Sequence, residues 1–154
     1  MVSANVRDLL QRQITPDVYQ QVLREWKTHS MAEDQRDIPG LIATLTPDCV
    51  YEIPQASRRW EGHEGARQFY TQLLTAFPDI QFELANIVAG PQGVYEEAGV
   101  TGTFRQDWLD YPATGRPVTF RVIIFFPWDP DRRKFTGERI FVDGAPLIQK
   151  GTWT

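Results

Sequence analysis

Two side chains in this sequence have the chemistry of a proton-transfer pair. His29 lies three residues past Trp26 on the apolar stripe Tyr19, Val22, Leu23, Trp26, so a helix there carries it along its buried face. A histidine held by a carboxylate is a workable general base near neutral pH. Glu33 is one helical turn further on, and Asp34 adjoins it. The structural alternative is a helix-end histidine that caps carbonyls or pairs with Glu33. Glu138 shares a strand face with Ile140 and Val142 in the run Glu138-Arg139-Ile140-Phe141-Val142. Burial there would raise its pKa and make it an acid–base group. Its structural alternative is an ion pair with Arg121 or Arg139, or a place in solvent.

The elements that must position these groups read as helices first, then strands. Thr15-Pro16-Asp17 combines a hydroxyl cap, a proline at the first helical position and an acid in the first turn. A second short helix is expected over residues 39–45 and a strand over 49–53. A polar loop is expected over 55–61, then a third helix over 62–77 with Ala66, Phe69, Tyr70, Leu73 and Phe77 on its buried face. From residue 80 the pattern alternates with period two, turning at Gly90-Pro91-Gln92-Gly93 and at 129–134. Residues 105–117 form a long loop with Trp108 and Tyr111, a possible lid or a partner contact. Residues 118–128 read as apolar on both faces, which predicts a central strand covered twice. A second copy of the chain is the simplest outer cover, so a homodimer through the outer sheet face is expected.

Composition excludes several classes. At 154 residues the chain is expected to be a single domain that buries its own core, and its net charge of −4 argues against a nucleic-acid partner. Cys49 is the single cysteine, and its apolar setting predicts an inert buried thiol. His29 and His63 are far apart in sequence, so no metal site is expected, and His63 is expected to be exposed. No phosphate-binding glycine motif implies a nucleotide, so no cofactor is expected. No stretch reads as a signal peptide or bilayer span, which predicts no membrane partner and a cytoplasmic protein.

Several segments carry a family likeness: Trp26-Lys27-Thr28-His29; Thr46-Pro47-Asp48-Cys49-Val50-Tyr51; Trp60-Glu61-Gly62 with Phe69-Tyr70 and Phe77-Pro78-Asp79; Gly102-Thr103-Phe104; residues 137–143; and Leu147-Ile148-Gln149 before Gly151. Together they resemble the SnoaL-like polyketide cyclases, relatives of nuclear transport factor two, ketosteroid isomerase and limonene-epoxide hydrolase. The resemblance implies one α+β domain over residues 15–150, with 1–14 as an N-terminal extension. It implies a cone-shaped barrel of strongly bent mixed or antiparallel sheet, with three N-terminal helices packed on its concave face. It also implies a pocket for a small apolar molecule, lined by Trp26, Tyr51, Ile53, Glu96, Val100, Phe104, Trp108 and Ile140. Four positions where relatives keep acids or bases are apolar here: Ile53, Val100, Phe104 and Ile140. Asp143 matches the family's final aspartate, where holding loop amides is its expected role.

Three functions remain open at this level. One is cofactor-free acid–base cyclisation or isomerisation of a small carbonyl compound, with His29 and Glu138 moving protons and Tyr51 donating to an enolate oxygen. The second is a non-catalytic small-molecule-binding or accessory dimer, which the four apolar positions favour. The third is a pure dimerisation module. His29 and Glu138 pointing into one cavity favours the first, either of them facing solvent favours the second, and a filled cavity with no void favours the third.

Overall fold

The computed structural model describes residues 6–148. Helix α2 (Pro16–Asp34) starts where the sequence signals it, with Thr15 Oγ1 accepting from the Val18 amide at 3.3 Å. Helix α3 (Ile38–Ala43) starts at an Asp37 cap that accepts from the Gly40 amide, and ends two residues before the expected Leu45. Helix α4 (Gly62–Ala76) buries Ala66, Phe69, Tyr70 and Leu73, the stripe read from the sequence. The first helix in the chain, α1 (Val6–Gln11), falls in the N-terminal extension and was not expected. Its residues bury nothing, so it carries no amphipathic signal to read.

Six strands follow the order β2-β1-β6-β5-β4-β3: β1 (Leu45–Ile53), β2 (Arg58–Glu61), β3 (Gln81–Gly90), β4 (Gly93–Thr103), β5 (Pro117–Asp129) and β6 (Lys134–Val142). Only β1 with β6 is parallel; the other neighbours are antiparallel. The sheet is open, with β2 and β3 as edges, rather than a closed barrel. The fold is α+β, with α4 packed on β1 and α2 reaching β3 and β4.

One other expectation fails for a physical reason. Residues 55–61 are not a loop: a 3-10 turn (Pro54–Ala56) and Ser57 at φ 52° reverse the chain into β2, a polar edge strand. Within the single chain β5 is buried on its inner face, the expected cover of its outer face being a second copy. Phe120, Val122, Ile124, Phe126 and Trp128 point inward, while Thr119, Arg121 and Ile123 are exposed in the single chain.

Strand alternation on β1, β4 and β6 sets which residues face the core. Cys49, Tyr51 and Ile53 are all buried, as are Ala98 and Val100, and Glu138 with Ile140; Arg139 and Phe141 face out. Gln149 and Gly151 of the C-terminal motif, and the end of the domain at residue 150, lie outside the described residues.

Candidate functional site

Parallel pairing of β1 with β6 sets Tyr51 beside Glu138. α4 brings Tyr70 over them, and α2 brings His29 in from the other side. One carboxylate oxygen, Glu138 Oε1, is the meeting point. It accepts from Tyr51 at 2.9 Å and from Tyr70 at 2.5 Å, and lies 2.9 Å from His29 Nε2. His29 is 1% exposed and Glu138 2%. Thr44 spends its one hydroxyl proton on the Leu41 carbonyl (2.7 Å), so its oxygen accepts from His29 Nδ1 at 2.7 Å. Nδ1 is therefore protonated by this pattern. His29 Nε2 also lies 2.9 Å from the Tyr70 hydroxyl. Glu138 Oε2 has no donor among the described residues.

Glu138 lines an interior cavity with Glu33 and an otherwise apolar wall that includes Val100, Trp108, Phe120 and Ile140. The space open to the centre of a water molecule is about 20 Å³, room for roughly one water. The carboxyl of Glu33, half-buried on the last turn of α2, has no hydrogen-bond partner among the described residues. Burial, and then the nearby Glu138, Glu96 and Asp34 carboxylates, push its pKa well above the ordinary range, which favours the neutral acid. Burial and Glu138 likewise push up the Tyr51 and Tyr70 phenols, keeping them protonated donors.

The expected site residues divide into those on the cavity and those behind it. Glu138, Val100, Trp108 and Ile140 line it. His29 and Tyr51 do not; they hold Glu138 from behind, so Tyr51 is placed to orient a carboxylate rather than an enolate. Glu96 also lies off the cavity and accepts from the Trp26 indole at 2.8 Å, with burial raising its carboxyl to about 7. Phe104 stacks on Phe77, with centroids 4.9 Å apart. Ile53 lines a separate surface cleft with Leu109 and Tyr111. His29 pairs with Glu138 rather than Glu33, and the candidate cations for Glu138 go elsewhere: Arg121 to Glu97 at 2.8 Å, Arg139 to Glu52 at 3.3 Å.

Three further residues of the site were not read as such from sequence. Tyr70 sat in an apolar stripe, where a phenol should have prompted a search for a buried acceptor. Glu33 was read as a partner of His29, and Thr44 carried no signal. Elsewhere, Asp143 accepts from the Ala145 amide at 3.3 Å, and burial pushes the Cys49 thiol up to about 11. His63 is half-buried rather than exposed and donates to the Leu45 carbonyl at 3.2 Å. Among the described residues, no cluster of three His, Cys, Asp or Glu could hold a metal, and no helix is long and apolar enough to cross a membrane.

No curated protein sequence matches the chain. Solved structures share its fold. A provisionally assigned SnoaL-like polyketide cyclase from Jannaschia sp. CCS1 is 20% identical, with TM-score 0.73, over 86% of this chain and 91% of that one. An NTF2-like protein from Anabaena variabilis is 20% identical, with TM-score 0.67, over 90% and 98%. An LEH-like epoxide hydrolase of M. tuberculosis is 18% identical, with TM-score 0.64, over 84% and 87%. The SnoaL-like domain model matches residues 27–133, more than half of the sequence and the whole of the His29–Tyr51–Tyr70 side of the site, and the chain belongs to the SnoaL-like domain family.

Proposed function

We propose that the chain binds a small, largely apolar carbonyl compound in its interior cavity and moves a proton on it without a cofactor, as in a cyclisation or an isomerisation. One observation carries this reading: a buried carboxylate has one oxygen locked by two phenols and an imidazole, and its other oxygen unbonded, on a cavity wall that is otherwise almost wholly apolar. In the proposed step, Glu138 Oε2 takes a proton from the carbon next to the carbonyl. The C–H electron pair moves into the carbonyl, leaving an enolate oxygen. The proton returns to a carbon of the same compound from Glu138, or from Glu33, whose neutral form burial favours. His29, Tyr51 and Tyr70 hold the carboxylate in one orientation. The polyketide cyclase neighbour supports the carbonyl class, as fold analogy only.

The absence of His29 from the cavity wall favours a second reading, a binding protein without turnover. A ligand larger than a water needs the cavity to widen. Proton exchange in heavy water separates the two. The chain is incubated with a bicyclic ketone such as 2-tetralone, and deuterium gain next to the carbonyl is followed by NMR above the uncatalysed rate. Exchange that Glu138→Gln abolishes is the expected result. Ketone binding with no added exchange leaves the binding reading. No binding at all sinks both. In either case a second copy of the chain is the proposed partner, through the outer face of the sheet.

A further inference from the structure

Among the described residues, three buried side-chain polar atoms have no hydrogen-bond partner: Thr46 Oγ1, Trp108 Nε1 and Trp128 Nε1. Of these residues only Trp108 lines the cavity that holds Glu138. It is 5% exposed, so its indole N–H has given up bulk water without gaining an acceptor from the protein.

Its position is built rather than incidental. Trp108 and Tyr111 exchange two backbone hydrogen bonds, of 3.1 and 2.9 Å, around a two-residue turn. Both turn residues, Leu109 (φ 50°) and Asp110 (φ 67°), adopt the left-handed conformation, which is uncommon for a branched apolar residue such as leucine. Asp110 is tied to Arg58 of β2 at 2.6 Å. The indole packs edge-on to Phe77 at 5.6 Å and against Phe120 at 6.3 Å. The strand beside it, the loop and two aromatic rings thus hold the indole in an almost wholly apolar cavity wall. Among the described residues, Glu33 and Glu138 are the only ionisable side chains on that cavity, and neither accepts from the indole.

We propose that Trp108 Nε1 donates to the oxygen of the bound ligand, and that this bond makes the pocket select an apolar ring carbonyl over a hydrocarbon of the same shape. The proposal rests on the carbonyl-binding reading above and names the group that would orient that ligand. An indole does not lose its proton in the working pH range. It stabilises an oxygen, including one that gains charge as a neighbouring proton leaves, without taking part in the proton transfer itself. Trp108 is therefore a binding and orienting residue, while Glu138 stays the proton acceptor.

The test compares 2-tetralone with tetralin, the hydrocarbon analogue, on full-length wild-type chain and on Trp108→Phe, which keeps an aromatic wall and removes the N–H. Indole-labelled protein gives a second readout: the Trp108 ¹H–¹⁵N resonance, assigned by its absence in the variant. The expected result is about tenfold weaker ketone binding in Trp108→Phe, with tetralin binding unchanged. The Trp108 indole proton should shift downfield with ketone and stay in place with tetralin. Equal losses for both probes, or an indole proton that the bound ketone does not move, overturn the proposal and leave Trp108 as a wall. If the wild type binds neither probe, the carbonyl-binding reading itself falls. Should the variant misfold, the resonance is assigned in the wild type from its proximity to the Phe77 and Phe120 rings, and its shift with ketone still decides.

Discussion

Glu96 shows how a single carboxyl can carry a pH signature through the whole chain. It is 8% exposed, and its one hydrogen bond comes from the Trp26 indole at 2.8 Å. Burial outweighs that bond, and Glu138 adds repulsion, so the carboxyl titrates near 7 instead of 4.5. A carboxyl whose folded value is raised holds its proton more tightly in the folded state. Its contribution to stability is complete below about 4.5 and is lost as pH rises through about 7. The full span is worth about 3 kcal/mol. Urea midpoints measured across this window should fall with rising pH in the wild type. In Glu96→Gln, which keeps an acceptor for Trp26, the fall should be clearly shallower, with the residue left by Glu33, whose raised carboxyl acts in the same direction. Equal slopes in both proteins would show that Glu96 titrates normally. At this scale the sequence was informative about His29 and Glu138, because helical and strand periodicities aim them inward. It was silent on what they meet. Tyr70 and Glu138 are 68 residues apart, and no local pattern joins a phenol on a helix to an acid on the last strand.

The strand pair β1–β6 is the element that brings these groups together, and Gly137 is its critical residue. The pairing register shifts between Leu45 and Val50, and Gly137 sits opposite Val50 at φ +122°. A Cβ there would meet backbone, the Val50 carbonyl oxygen, at 1.9 Å. Neither the conformation nor the space admits another residue. Gly137→Ala should cost about 3 kcal/mol or more and lower the urea midpoint accordingly. It should also disturb the neighbouring Glu138, so that residual folded protein loses its ketone response. A stability change under about 1 kcal/mol would mean that the bulge relaxes freely. The helices were legible as elements because caps and apolar stripes announce them. β2 was not, because Arg58-Arg59-Trp60-Glu61 is polar at an edge, where hydrophobic alternation has nothing to record. The parallel β1–β6 pairing was equally hidden, since it joins segments with most of the chain between them.

The molecule as a whole leaves one apolar surface to explain. On the outer face of the sheet, Tyr95 stacks on Phe125 at 4.2 Å, with Val88 beside it; Ile123 and Phe141 form a second row. Val88 is 63% exposed, Tyr95 48%, Ile123 47% and Phe141 42% in the single chain. Ion pairs Arg121–Glu97 and Arg139–Glu52 interrupt and rim this face. An apolar patch bordered by charges on one sheet face suits a two-fold contact with a second copy, since a self-complementary surface needs each charge to find its opposite. The alternating burial of β5 agrees with this picture: the strand is apolar enough on its outer side to prefer a cover, yet carries Arg121 where a continuous core would not admit it. Sedimentation velocity should find the wild-type chain dimeric. Ile123→Glu with Phe141→Glu should find it monomeric, with unchanged far-ultraviolet circular dichroism, because neither side chain contributes to the inner core. The cavity lies on the opposite face of the sheet, so ketone binding should survive the loss of the dimer. A wild-type monomer would leave the outer face unpartnered, and loss of ketone binding in the monomeric variant would show that the second copy braces the sheet beneath the site.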